Sequence, residues 1–105
     1  MPQLIIKGIS KEETNAIASN LAISLAEVIK CPKEWISIEL APTEYFNSHS
    51  SEESFPVVNI HWFPRPKDVQ DKVADLVKKY LFEQGHSRIQ IYFHCLDPKG
   101  YYEFK

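Results

Sequence analysis

The hydrophobic residues of the chain follow a two-residue period in some stretches and a helical period in others. Short stretches of alternating or continuous apolar and β-branched residues predict strands. There are four of these stretches, at residues 2–7, 35–41, 56–63 and 88–96. Residues 42–55, between the second and third strands, are polar, rich in serine and without a period, so they predict a loop.

Two longer stretches carry apolar residues three and four positions apart, which is the spacing of one helical face. Ser10 followed by Glu13 is a capping-box sequence that predicts the start of the first helix, and Pro32 predicts its end. Pro66 stands where the first turn of the second helix is expected, and Gly85 is the natural stop at its C-terminus.

The elements follow the order strand, helix, strand, twice over. The first two strands begin near residues 3 and 35 and the last two near 56 and 88, so the offset is 32 in both halves. Helices of this length allow the right-handed crossover that parallel strands require. We therefore predict an α/β (α+β) fold, in which two β-α-β units form a four-stranded mixed sheet with two helices on one face. The whole chain, 1–105, is then a single domain with pseudo-repeats at about 1–42 and 56–97.

The predicted sheet has a polar second face. Its residues are polar but almost uncharged: Ser37, Glu39, Asn59, His61, Gln90, Tyr92 and His94. A freely solvated face would more often carry Lys and Glu, so this face suits contact between subunits, and simple exposure to solvent is the alternative.

Cys95 falls on the apolar face and is expected to be a buried, inert thiol.

Composition narrows the range of functions. A formal net charge of −2 gives no basic field that would recruit nucleic acid or an acidic membrane. No apolar run approaches the roughly 18–20 residues that span a bilayer, and we expect no signal peptide. With three glycines and neither of the common glycine-rich phosphate motifs, ordinary nucleotide-binding sites are excluded. Two cysteines make no disulfide framework, which favours the cytoplasm.

Three stretches and the N-terminus carry a resemblance to a known family. The chain opens Met1-Pro2, has the doubled β-α-β layout, and contains the stretches IELAPTEYF (38–46), NIHWFPRPKDVQDKVA (59–74) and YYEFK (101–105). Together these resemble the tautomerase superfamily over nearly the whole chain. That superfamily includes 4-oxalocrotonate tautomerase, 5-carboxymethyl-2-hydroxymuconate isomerase and macrophage migration inhibitory factor. The three stretches look most like a small branch of it without a characterised function.

The resemblance implies a catalytic role for Pro2. Removal of Met1 would leave Pro2 with a free secondary amine, whose pKa in water is roughly 7.7–8.0. Burial among apolar groups lowers that pKa, so the neutral nitrogen can carry a proton in a keto–enol shift. Such chemistry needs no metal and no organic cofactor. The alternative is that Pro2 merely begins an edge strand, and a retained Met1 would make its nitrogen an amide.

The resemblance also implies substrate-binding residues and a homotrimer with pockets between subunits. Arg65, between two prolines at the junction of the third strand and second helix, is the candidate to hold a substrate carboxylate, and an exposed loop position is its alternative. Glu39 is a candidate for polarising Pro2 or carrying a second proton, or for structural pairing. Tyr45 and Phe46 are candidates to line the pocket.

Other functions remain open at this point. The same scaffold would serve a non-catalytic oligomeric binding or signalling protein, and the element order is also that of a ferredoxin-like ligand-binding domain. His61 and His94 lack further ligands at a recognisable spacing, so no metal site is expected. The aromatic C-terminal segment, 101–105, is expected to pack on a neighbouring subunit or to cover a sheet edge.

Overall fold

The computed structural model describes residues 2–44, 46 and 55–105. Its strands and helices follow the predicted order. They are β1 (Gln3–Lys7), α1 (Lys11–Ile29), β2 (Ser37–Leu40), β3 (Val57–Trp62), α2 (Lys67–Glu83) and β4 (Gln90–Cys95). Two short 3-10 turns, Lys33–Trp35 and Pro98–Gly100, precede β2 and follow β4.

The four strands form one mixed sheet in the order β2-β1-β3-β4. Each β-α-β unit pairs its own two strands in parallel, β1 with β2 and β3 with β4. The two units join through the antiparallel pairing of β1 with β3. The predicted fold is therefore confirmed. Because β1 lies inside the sheet, the interpretation of Pro2 as the start of an edge strand is wrong.

Both helices cover the same face of the sheet. The side chains at alternate strand positions point into this layer, and Leu4, Ile6, Ile60 and Trp62 are at most 1% exposed. The helices supply their apolar stripes, with residues such as Leu21, Leu25, Val73, Val77 and Leu81 fully buried. The resulting core is continuous and holds the strand ends in fixed positions relative to one another.

The start of α1 forms the capping box that the sequence predicts. The Ser10 hydroxyl accepts from the Glu13 backbone N–H at 3.1 Å, and the Glu13 carboxylate accepts from the Ser10 N–H at 3.3 Å. Its end differs slightly from the prediction. The helix stops at Ile29 because Lys30 takes a left-handed conformation (φ 64°), so Pro32 follows the helix end without causing it.

Gly85 ends α2 through a Schellman turn. The N–H of Gly85 donates to the Phe82 carbonyl at 2.9 Å, and the N–H of His86 donates to the Leu81 carbonyl at 3.2 Å. This pair of bonds requires the left-handed backbone of Gly85 (φ 94°). The turn brings His86 to the start of α1, where its Nε2 contacts the Glu13 carboxylate.

Two predictions for single residues are wrong. Trp35 lies in the 3-10 turn and not in β2, which begins two residues later. Cys95 has the predicted register on the helix-covered side, opposite Trp62, but its side chain is exposed. It is the last residue of β4, which is an edge strand of the sheet. Among the described residues, no helix is both long and apolar enough to cross a membrane.

Candidate active site at the N-terminal end of the central strand

Pro2 is buried at the start of the central strand. Its side chain is less than 2% exposed, on the helix-covered side of the sheet. Its carbonyl oxygen accepts from the Ser37 N–H at 3.1 Å, which ties it to β2. Gln3, the next residue, is paired with both neighbouring strands, opposite Ser37 and His61. The position of the Pro2 nitrogen is therefore fixed by the strands on both sides.

The strand register shows what the Pro2 nitrogen faces. Pro2 precedes Gln3, so the register places it level with Ile36, just before β2, and with Trp62 at the end of β3. The Pro2 nitrogen is on the side of Pro2 away from Gln3, toward the level of Trp35 and Phe63. These two aromatic residues are walls of a cleft of about 390 Å³. The cleft therefore lies at the same end of the sheet as Pro2, which is not itself one of its described lining residues.

The C-terminal segment supplies the remaining wall of the cleft. After the turn at Pro98–Gly100 the chain is extended, and Tyr101, Glu103 and Lys105 line the cleft at alternate positions. The Tyr101 ring packs edge-on against Phe63, with 5.2 Å between ring centroids. The intervening residues, Tyr102 and Phe104, are 76% and 91% exposed. The segment is thus a two-sided strap with one face on the cleft.

A small ionic group lies on this strap. The Tyr101 hydroxyl donates to Glu103 Oε2 at 3.0 Å, and the Lys105 ammonium is 3.4 Å from Glu103 Oε1. The hydrogen bond to Glu103 raises the pKa of Tyr101, so the phenol stays protonated. The same bond, together with the charge of Lys105, lowers the pKa of Glu103. Glu103 is therefore a carboxylate throughout the neutral range.

Arg65 lies beside the cleft but is held by its own segment. It occupies the connection between β3 and α2 and is half-buried. Its guanidinium donates to the carbonyl of Phe63, a residue of the cleft wall, and lies over the Trp62 ring at 5.7 Å. This backbone bond uses one of five N–H donors, so others remain for a ligand anion. The N-terminus of α2 follows two residues later.

The other predicted site residues are not gathered at the cleft. Glu39 lies on the sheet face away from the helices, where its Oε2 accepts from Gln3 Nε2 at 2.6 Å. It therefore contacts the residue that follows Pro2 and pairs within the chain. Phe46 is 90% exposed and lines none of the described cavity walls. Tyr45 lies outside the described residues.

The polar sheet face forms a row of side-chain contacts. The rings of His61 and His94 are stacked, with 4.4 Å between centroids and 11° between planes. His94 Nε2 lies 2.8 Å from Asn59 Oδ1, and the Tyr92 hydroxyl donates to Gln90 at 3.3 Å. Within the described parts of the chain, no three His, Cys, Asp or Glu side chains cluster in a way that could hold a metal ion.

A larger depression, of about 580 Å³, lies along α2 between Asp75, Lys78, Lys79, Phe82 and Glu83. These residues belong to the C-terminal half of the helix, at the end of the sheet opposite Pro2. Its lining is an open helix surface of mixed charge, with no buried polar group directed into it. The cleft at Pro2 is therefore the better candidate site.

Trp35, Phe63 and the strap contribute to the cleft without having been predicted as site residues. Two signals for the strap were present in the sequence. Asp97-Pro98-Lys99-Gly100 is a turn signature, and in the structure the Asp97 carboxylate accepts from the Lys99 N–H at 3.0 Å. In the next five residues, 101–105, successive side chains of an extended chain point to opposite sides. Neither signal predicts where the strap lies. Its position depends on where β4 ends and on the packing of Tyr101 against Phe63.

Comparison with known proteins places this geometry in a family. Residues 1–104 match the family described as Domain of unknown function (DUF1904). The chain is similar to the structure of a DUF1904 domain from Sebaldella termitidis, with 26% identity, 98% of this chain and 95% of that chain covered, and a TM-score of 0.90. Comparison with curated proteins gives no match.

Two further structures connect the fold to the predicted superfamily. A macrophage migration inhibitory factor homologue from Prochlorococcus marinus is 17% identical, with 97% and 95% of the two chains covered and a TM-score of 0.79. A fused 4-OT described as a symmetric trimer is 12% identical, with 90% and 84% covered and a TM-score of 0.69. These similarities confirm the tautomerase-like fold. The chain belongs to the DUF1904 family and has the fold of the tautomerase and macrophage migration inhibitory factor superfamily.

Proposed function

We propose that this protein, when its chain begins at Pro2, is a cofactor-free tautomerase that moves a proton in a small keto or enol carboxylic acid. The observation that carries the proposal is the burial of Pro2 at the start of the central strand, at the end of the sheet where Trp35 and Phe63 line an aromatic cleft. The fold shared with tautomerase-like structures supports the same function.

The chemistry follows from the surroundings of the nitrogen. Burial at the level of Ile36 and Trp62 disfavours the charged ammonium, so we expect the terminal amine to have a pKa below its value in water. A neutral secondary amine accepts a proton from the carbon or hydroxyl of the substrate and returns it to the other atom. The aromatic walls offer an apolar surface against which the apolar part of the substrate packs.

Arg65 is the proposed anchor for the substrate carboxylate. Its guanidinium is already oriented by the Phe63 carbonyl at the edge of the cleft, which reduces the entropy lost on binding an anion. The nearby N-terminus of α2 favours negative charge at the same place. Phe46 and Tyr45 are proposed to line the pocket of a neighbouring subunit. Glu39 is proposed to position Gln3, whose side chain donates a hydrogen bond to it.

The proposed working unit is a homotrimer in the cytoplasm. The polar sheet face, with its stacked histidines and few charges, supports packing against a second copy of this chain. The described cysteines, Cys31 and Cys95, are both free thiols, which supports a reducing compartment. The predicted absence of nucleic-acid and membrane partners rests on the formal charge of −2.

The test compares the native chain with Pro2→Ala in tautomerisation of phenylpyruvate and of hydroxymuconate. Intact mass first establishes that both chains have lost Met1. We expect Pro2→Ala to lower kcat/KM by about 10²–10⁴-fold, because a general base of this kind contributes that much. Arg65→Ala is expected to raise KM more than it lowers kcat, because it removes a binding contact.

Lys67→Ala serves as the control for Arg65→Ala. Lys67 also lies at the start of α2, but its ammonium binds Asp71 at 2.8 Å and is exposed. Its loss is expected to leave both constants unchanged. Unchanged turnover in Pro2→Ala contradicts the proposal. A chain that keeps Met1 in its native cell contradicts it too, and favours a non-catalytic binding protein on the same scaffold.

A further inference from the structure

The strap brings a negative charge to the cleft at the Pro2 end of the sheet. Glu103 lines that cleft together with Trp35 and Phe63. These two aromatic residues adjoin Ile36 and Trp62, the residues that the strand register places level with Pro2. The Tyr101 hydroxyl and the Lys105 ammonium hold its two carboxylate oxygens. Glu103 thus lies at the same end of the sheet as the terminal amine of a chain that begins at Pro2.

Among the residues that the structure describes, the charges near the cleft come from separate elements. Lys105 lies on the strap beside Glu103, Arg65 precedes α2, and Lys33 and Glu34 are exposed in the turn before β2. Tyr101 is the other titratable group on the strap and is neutral when it donates to Glu103. Of the carboxylates named here, Glu103 is the one whose side chain lines the cleft.

We propose that Glu103 is a positioning residue of the Pro2 site, whose carboxylate stabilises the protonated form of the terminal amine. It acts on the substrate only through Pro2. Its charge opposes the effect of burial on the amine, because an opposite charge nearby favours the ammonium. Glu103 thereby sets the pH above which Pro2 becomes a base. The inference rests on the proposed function for its role in catalysis, but the interaction itself is measurable without turnover.

The experiment is a titration of the Pro2 nitrogen by ¹⁵N NMR. The chain contains seven prolines, and in a protein that begins at Pro2 the other six nitrogens are amides. Proline labelled with ¹⁵N therefore gives one signal that moves with protonation. Glu103→Gln is expected to lower the pKa of this amine by about 0.5 unit, a modest shift because the site is partly open to solvent.

Two variants test the sign and the location of the effect. Lys105→Gln removes a positive charge from the strap, so it is expected to raise the amine pKa. Glu12→Gln neutralises an exposed carboxylate at the start of α1, at the opposite end of the sheet, and is expected to leave that pKa unchanged. Raising the salt from about 0.05 M to about 1 M is expected to reduce the difference between the native chain and Glu103→Gln.

The outcomes separate this inference from the proposed function. An amine pKa that is equal in the native chain and Glu103→Gln overturns the inference, whether or not the protein turns over substrate. A shifted pKa in a chain without tautomerase activity supports the inference and contradicts the proposed function. When both hold, the acidic limb of the kcat/KM profile moves to lower pH in Glu103→Gln by the same amount as the amine pKa. A chain in which Met1 is retained overturns both.

Discussion

Gly8 links β1 to α1 through a backbone conformation that favours glycine. Its φ is 89°, and a Cβ at this position would lie 2.1 Å from the Phe55 carbonyl oxygen. Gly8→Ala therefore combines left-handed strain with a clash against backbone that cannot rotate away. We expect a loss of about 2–4 kcal/mol in the free energy of unfolding, measured by denaturant titration.

Gly85→Ala is the matched control for this substitution. Gly85 has nearly the same conformation, with φ 94°, but a Cβ there would meet nothing within 4 Å. Its expected cost is about 1–2 kcal/mol, from the backbone alone. The difference between the two variants measures the clash with Phe55. Equal losses for Gly8→Ala and Gly85→Ala would show that the contact is relieved at no cost.

Single residues were predictable from the sequence where one strand or helix determines their surroundings. The capping contacts between Ser10 and Glu13 follow from four consecutive residues at the start of α1. The orientation of Arg65 toward the Phe63 carbonyl and the approach of Glu103 to the cleft do not follow in this way. They depend on how the β3–α2 connection and the last turn of the chain pack together, and no local pattern contains that information.

At the scale of elements, the contact of Glu13 with His86 joins the start of α1 to the end of α2. Partial burial raises the pKa of Glu13, but the hydrogen bonds from His86 and from the Ser10 backbone and the charge of His86 outweigh it, so the pKa is lower than its ordinary value of 4.5. A carboxyl with a lowered pKa in the folded state stabilises the fold above its unfolded pKa. That stabilisation is lost as the pH falls through the folded pKa.

The expected result is a difference in acid stability between the native chain and Glu13→Gln. Glutamine can keep the capping box, so the variant removes the charge and retains the local geometry. From about pH 6 to pH 3, the native chain is expected to lose about 0.5–1 kcal/mol more unfolding free energy than Glu13→Gln. Urea unfolding at each pH measures this loss. Glu12→Gln, which changes an exposed neighbour, is the control, and parallel curves for all three proteins would contradict the prediction.

Elements were the most predictable scale. Both helices were identified from their apolar stripes and end signals, because the hydrophobic period, the capping box and Gly85 act within one turn. The predicted start of β2 is wrong by two residues. Trp35 fits the alternation of that strand, but the 3-10 turn after Pro32 places it at the cleft instead. The alternation of the sequence continues across the turn, so the pattern alone does not mark where the strand begins.

At the scale of the whole molecule, the sheet has one face inside the protein and one face open. The open face carries the stacked rings of His61 and His94, and Tyr92 on it is 50% exposed. The two β-α-β units predicted the four strands and their mixed directions, because each parallel pair needs a crossover helix. What covers the open face does not follow from the chain alone, since a polar face is compatible with water and with another subunit.

The proposed homotrimer is tested by placing a charge on that face. The native chain, of 12.2 kDa, is expected to show about three times this mass in light scattering at micromolar concentration. Tyr92→Lys puts an ammonium on each sheet face, and a trimer packed through these faces must bury three of them. We expect this variant to dissociate to monomers, because charges buried without partners cost several kcal/mol each.

Phe82→Lys is the matched control for Tyr92→Lys. Phe82 is an aromatic residue of similar exposure, 46%, but it lies on α2, on the opposite side of the sheet. Its substitution is expected to leave the trimer intact. Dissociation by Phe82→Lys with an unaffected Tyr92→Lys would assign the interface to the helical side, and a monomeric native chain would contradict the trimer. A monomer would keep the walls that this chain supplies to the cleft, Trp35, Phe63 and the strap, and would lose what a neighbouring subunit adds.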